Sequence, residues 1–352
     1  MNETRELRRL LRGIAEAPDG AALRRAAEAA RALEHQALAP APAETATRLI
    51  SAVSDALTRR AIALALAGAP RPARLRWCWI ALGSEGRREQ TFVSDQDNGI
   101  IFDDQGDPDA ARSLLLPLAL RINETLADCG FPLCEGGIMA SRPECCLGLH
   151  EWRERFLDWI TEGDPQALLN ASIFFDLRPV HGEISLAQAL SAWLARLGAD
   201  NRRFLFQMAD NALRRTPPLR LLGGFALEKH GPHAGALDLK HNAATLYVDA
   251  ARVFGLACGS GASNTARRLR LAARAHMLHA DEVEGWIASF HFIGMLRLRM
   301  QQESYLRGAT MDNHVRPDQL DAGQRRLLRR ALRQAGALQQ QLSLAFLRGQ
   351  RL

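Results

Sequence analysis

Asp95 and Asp97, one residue apart and directly ahead of the apolar run Gly99-Ile-Ile-Phe102, are the side chains of this sequence best suited to hold a divalent cation. In extended backbone, residues two apart point from the same face, so the two carboxylates converge. Hard oxygen ligands of this kind suit Mg²⁺ (or Mn²⁺). Twelve residues before Asp95, at the end of the apolar run Trp77–Leu82, stands Gly83-Ser84. The glycine lets the backbone approach a ligand closely, and the serine hydroxyl with nearby N–H groups can face phosphate oxygens. Arg87 and Arg88 lie between cradle and carboxylates, where guanidinium groups neutralise the β- and γ-phosphates of an NTP. Either the Asp-x-Asp or the Arg-Arg-Glu pattern alone is common on solvated surfaces. Together they supply what phosphoryl or nucleotidyl transfer needs, a metal-bridged triphosphate beside cations.

These residues have to be positioned by two strands, over 77–82 and 99–102, joined by a polar loop. Ahead of them, residues 3–70 show helical spacing, with Leu7, Leu10, Leu11 and Ile14, an Ala/Leu run from 21 to 38, and Leu49, Ile50, Val53, Leu57 and Ile62. Breaks fall at Pro18-Asp-Gly20, at 39–42 and at 68–72. Residues 109–128 read as a helix ended by Cys129-Gly130, and Phe131-Pro-Leu-Cys134 as the start of a further strand. Helical spacing returns over 150–178, broken at 163–165, with Leu168 and Leu169 beyond the break. After His181-Gly182 the chain reads as about six helices, the last basic and amphipathic from Pro317 to Leu347. The expected organisation is an N-terminal helical region 1–72, an α/β domain 73–182 and a C-terminal helical domain 183–352. The fold class is mainly α with a small mixed α/β domain between helical regions.

Composition agrees: 47% of the 352 residues are hydrophobic but only 6% aromatic, which fits packed amphipathic helices rather than a β-sandwich. The net charge of +6, carried mainly by arginine, reads first as a solvated surface and second as a patch for phosphate or an acidic partner. The six cysteines, Cys78, Cys129, Cys134, Cys145, Cys146 and Cys258, show no zinc-site spacing and are expected as free, mostly buried thiols. The charged N-terminus lacks a signal-peptide core, and no stretch reaches ~18 apolar residues, so a soluble cytoplasmic protein without membrane contact is expected. Without a basic strip interleaved with aromatics, no nucleic-acid partner is expected.

The order of buried strand, Gly-Ser, a dozen residues, Asp-x-Asp and a second apolar strand resembles the hG[GS]…Dx[DE]h arrangement of the DNA polymerase β superfamily. The segment is similar to the nucleotidyltransferase domain of bacterial PII-protein uridylyltransferases and glutamine-synthetase adenylyltransferases. It is closer still to the nucleotidyltransferases often fused to CBS domains. LGSEGRREQTFVSDQDN nearly reproduces that subfamily's signature, and FPLCEGGIMAS (131–141), NASIFFDLRPVHG (170–182) and LDLKHN (237–242) match further parts of it. The resemblance implies a small mixed sheet flanked by helices, a C-terminal substrate-binding domain, and transfer of NMP from an NTP to an acceptor hydroxyl, as on a PII protein.

The superfamily also implies a third carboxylate on a neighbouring strand that activates the acceptor hydroxyl. Glu135 is the candidate, its alternative being a turn-exposed glutamate. Gln96 and Asn98, where apolar residues are usual, mean either a later strand start or a hold on the metal's water shell. Asp176 reads as the partner of Arg178 in an internal ion pair. Lys240, with His241 and Arg252, either faces the triphosphate or acceptor or is a solvated residue beyond a helix cap at Asp238. His233, His291 and His314 have no metal-ligand spacing and read as surface or packing residues. Two other functions compete with protein modification: a nucleotide-binding regulatory module with weak or no turnover, and a small-molecule nucleotidyltransferase.

Overall fold

The computed structural model describes residues 2–37, 42–68, 75–162, 172–220 and 223–348. The expected breaks at 39–41, 69–72 and 163–165, and Leu168 and Leu169, lie outside them. The chain folds as two units, residues 1–158 with 173–191, and residues 159–172 with 192–352. The expected boundary at residue 72 therefore falls inside the first unit.

In the first unit, helices α1 (Asn2–Glu16), α2 (Gly20–Ala37) and α3 (Ala43–Ala67) precede a mixed sheet of order β3-β2-β1-β4. Strand β1 (Trp77–Ala81) runs antiparallel to both β2 (Asn98–Phe102) and β4 (Arg178–Gly182), and β2 runs parallel to β3 (Cys146–Gly148). Both β1 and β2 are buried along their whole length. That is why they read as continuous apolar runs rather than as an alternation. Helix α5 (Pro108–Asp128) begins where the Asp107 side chain accepts the Asp109 N–H, with Pro108 in its first turn.

One core joins these parts. Ile14, Leu23, Leu57 and Ile62 from the first helices pack with Trp77, Trp79, Ile100 and Phe102 from the sheet and Leu115 and Ile122 from α5. Each such side chain contributes about 1.5–3 kcal/mol on burial, so the N-terminal helices stabilise the sheet that carries Asp95 and Asp97.

One expectation needs correcting: Phe131–Cys134 is not a strand, although the Pro132 and Ile138 carbonyls accept the Gln96 and Asn98 N–H groups. Residues 178–182, beginning where the expected helical stretch ends, form the edge strand β4, where Pro179 is tolerated.

After α6 (Leu149–Glu162) and α7 (Ile184–Asp200), the second unit is helical, with α8 (Arg202–Leu213), α9 (Thr245–Ala257), α10 (Thr265–Arg274), α11 (Ala280–Leu306) and α12 (Ala322–Ser343). Phe204, Tyr247, Phe254, Leu269, Trp286 and Leu332 are buried in it, and the Tyr247 hydroxyl donates to the Ala331 carbonyl at 2.5 Å. A two-residue strand pair, β5 (Leu237–Asp238) with β6 (His314–Val315), is too short to show in the sequence. Among the described residues, no helix is long and apolar enough to cross a membrane.

Candidate active site

Between β1 and β2 the chain makes the five-residue helix α4 (Gly83–Arg87) and then a loop that carries Asp95 and Asp97. The Leu82 N–H donates to the Asp97 carbonyl at 2.8 Å, so the end of β1 and the aspartate loop are stitched together. Gly83 has φ +51°, and a Cβ there would stand 2.6 Å from the Asp97 Oδ2. Only glycine lets the carboxylate lie over the helix start. Gly86 is needed for a second approach: a Cβ would lie 1.7 Å from the carbonyl oxygen of Asp176. Ser84 is half-buried in the first turn of α4, where N–H groups lack intrahelical acceptors.

Asp95 and Asp97 are half-exposed, whereas Gln96 and Asn98 between and after them are buried. The Gln96 amide donates to the Asn123 and Phe131 carbonyls at 3.0 and 2.9 Å. Asn123 donates back to the side-chain oxygens of Gln96 at 2.7 Å and Asn98 at 3.1 Å, and Asn98 also accepts the Ala140 N–H. The alternation therefore sends 95 and 97 outward and locks 96 and 98 against α5. Neither expectation for Gln96 and Asn98 described this, because Asn123 is distant in sequence.

A cysteine lies beside the two carboxylates. Ligand atoms of Asp95, Asp97 and Cys134 lie within 4.8 Å of one another, while Glu135, the next residue, is exposed and stands outside this group. Burial pushes the Cys134 thiol up to about 11, with Asp97 and Asp95 adding to the rise, so at neutral pH the group is an uncharged S–H beside two carboxylates. The two carboxylates fit Mg²⁺ or Mn²⁺; the sulfur is a softer donor than Mg²⁺ prefers.

The two arginines part company. Arg87 is largely buried and ion-paired to Glu89 at 2.8 Å and to the fully buried Asp176 at 2.5 Å. Arg178, the expected partner of Asp176, instead holds Asp55 with two hydrogen bonds of 2.9 and 2.7 Å. Arg88 is exposed in the left-handed region, φ 57°, and makes no salt bridge among the described residues. Burial and then the like charge of Arg178 lower its pKa, with Arg59 and Arg48 adding to the fall against the pull of Asp55.

Glu85, which no motif of the sequence singled out, is buried. Its carboxyl is raised from 4.5 to about 8, first by burial, then by Asp55 and Asp97, against the pull of Arg178 and a hydrogen bond from Ser54. A folded-state pKa above the unfolded one means that the native state binds the proton more tightly. This contribution is therefore full below about pH 4.5 and is lost as pH rises towards 8, at about 1.4 kcal/mol per pH unit. Glu85→Gln is expected to remove this slope. The wild-type melting temperature should fall relative to that variant between pH 5.5 and 8.5, and parallel curves would contradict the assignment.

Lys240, His241 and Arg252 belong to the second unit. Asp238 accepts the Lys240 and His241 N–H groups at 2.8 and 3.0 Å and the His241 Nδ1 at 2.7 Å, so it caps the turn that follows. Arg252 is buried and paired to Asp249 at 2.6 Å. Lys240 itself is half-exposed.

Residues 24–166 match the family described as Putative nucleotidyltransferase DUF294, and residues 202–346 match the Putative nucleotidyltransferase substrate binding domain. The first match contains Gly83, Ser84, Asp95 and Asp97. No curated protein matches the chain.

Proposed function

Because the chain belongs to the DUF294 family of nucleotidyltransferases, we propose that its first unit moves NMP from an NTP to an acceptor hydroxyl on a protein, in the manner of PII uridylylation. The observation that carries this reading is the convergence of Asp95 and Asp97 beside the start of α4, where Gly83 admits the Asp97 carboxylate. Asp95 and Asp97 would hold Mg²⁺ (or Mn²⁺), which neutralises triphosphate charge and polarises the attacked phosphorus. Gly83 and Ser84 bind phosphate oxygens through N–H and hydroxyl groups. Arg88, exposed among other cations, offers its guanidinium to the β- and γ-phosphates. Arg87 acts one step back, holding the loop through Asp176 and Glu89. Glu135, exposed beside Cys134, is the carboxylate assigned to accept the acceptor's proton.

Cys134 in the third ligand place favours a second reading, a nucleotide-binding module without effective turnover. Purified protein with Mg²⁺ and each of the four NTPs is expected to release pyrophosphate with a protein acceptor. Asp95→Asn should abolish release and weaken NTP affinity. No pyrophosphate with any acceptor, together with unchanged affinity in Asp95→Asn, sinks the transfer reading. Nucleotide protection against thermal unfolding without turnover selects the second.

A further inference from the structure

We propose that His233, Asp312 and His314, with Glu228 behind them, form a binding site for a first-row divalent metal ion of the Zn²⁺ type in the second unit. The ligand atoms of the first three lie within 4.8 Å of one another. They come from a loop and from β6, far apart in sequence, which is why no ligand spacing is visible there.

The distances favour a metal over ordinary ion pairs. His233 Nδ1 stands 3.6 Å from Asp312 Oδ2, and His314 Nδ1 stands 3.7 Å from Asp312 Oδ1. Both are too long for N–H···O bonds. They are close to the edge of a tetrahedron around Zn²⁺, about 3.3–3.4 Å for bonds of 2.0–2.1 Å. Among the described residues, His314 Nδ1 is also buried without a hydrogen-bond partner. On the far side of the same ring, Nε2 is 3.3 Å from Glu228 Oε1. A carboxylate there places the ring proton on Nε2 and leaves the Nδ1 lone pair for a metal, the arrangement seen behind many histidine ligands.

The site is built into the backbone. The Glu228 N–H donates to the Ala236 carbonyl at 3.0 Å and the Gly235 N–H to the Glu228 carbonyl at 2.8 Å, closing the loop that presents His233. Asp238 pairs with His314 across β5 and β6, and the His314 N–H donates to Asp312 Oδ1 at 2.8 Å, which orients that carboxylate. Asn313 between them accepts from Arg297 and Gln301 of α11. The two imidazoles stack at 3.6 Å and 3°. Joint ligation of one ion requires the half-buried His233 ring to turn out of this stack about its Cβ–Cγ bond. Two nitrogens and one carboxylate leave an open position and select Zn²⁺ over Mg²⁺, which takes oxygen ligands.

The full chain, stripped with a chelator and held in excess Mg²⁺, would be titrated with Zn²⁺ by calorimetry and with Co²⁺ by visible absorption. The expected result is one Zn²⁺ per chain with a Kd below about 10 µM at pH 7.5. His233→Gln and His314→Gln should each weaken binding at least about tenfold. Asp95→Asn should leave it intact, which separates this site from the Asp95, Asp97 and Cys134 group. If His314→Gln does not fold, His233→Gln on its exposed loop decides the matter. Zn²⁺ binding that is absent, or that survives His233→Gln unchanged, or that is lost in Asp95→Asn, overturns the proposal.

Discussion

Asp97→Asn is expected to lower pyrophosphate release at least about a thousandfold, roughly 4 kcal/mol of transition-state stabilisation, without lowering the melting temperature. The substitution keeps the shape that lies over Gly83, where a Cβ would come within 2.6 Å of Oδ2, and removes only the charge. Loss of that charge also relieves the buried Glu85, whose carboxyl Asp97 pushes up. The variant should therefore be as stable as the wild type or slightly more so at pH 8. A coupled pyrophosphate assay and a thermal melt on the same sample check both halves. Less than a tenfold fall in rate would remove Asp97 from the metal site.

The second large effect is on stability and distinguishes two neighbouring arginines. Arg87→Ala leaves Asp176, fully buried, without the guanidinium that holds it at 2.5 Å. Removing one partner of a buried ion pair costs about 3–5 kcal/mol, so the first unit should melt on the order of 10 °C lower. Asp176→Asn in the Arg87→Ala background should recover part of the loss, because an amide is cheaper to bury than a carboxylate that has lost this guanidinium. Arg88→Ala, at an exposed position with no salt bridge among the described residues, should change stability by no more than about 0.5 kcal/mol. On the proposed function it raises the KM for NTP instead. Equal destabilisation by both substitutions would contradict the division of roles.

How much of this was legible in the letters depended on the range of the interaction. Helical periodicity, the two apolar runs at 77–82 and 99–102, and the placement of Gly83 and the Asp-x-Asp pair between them are local patterns. Local backbone geometry turns such patterns directly into elements. The mainly helical fold with its small mixed sheet followed from them. Arg87 and Arg88, adjacent and chemically identical, were not separable: one faces Asp176 and the other solvent, and nothing within a few residues distinguishes them. Gln96 was ambiguous for the same reason, since Asn123 defines its place.

The sequence by itself determined the family, the helical character and the two aspartates, because periodicity and short spacing survive in one dimension. Tertiary structure decided that Cys134 lies beside those aspartates, that Glu85 is a buried carboxyl and that Arg87 is a strut. It also brought His233 to Asp312 and His314. Burial and charge pairing depend on what the folded chain places alongside a residue, and these neighbours come from distant segments or from the loop's own turn.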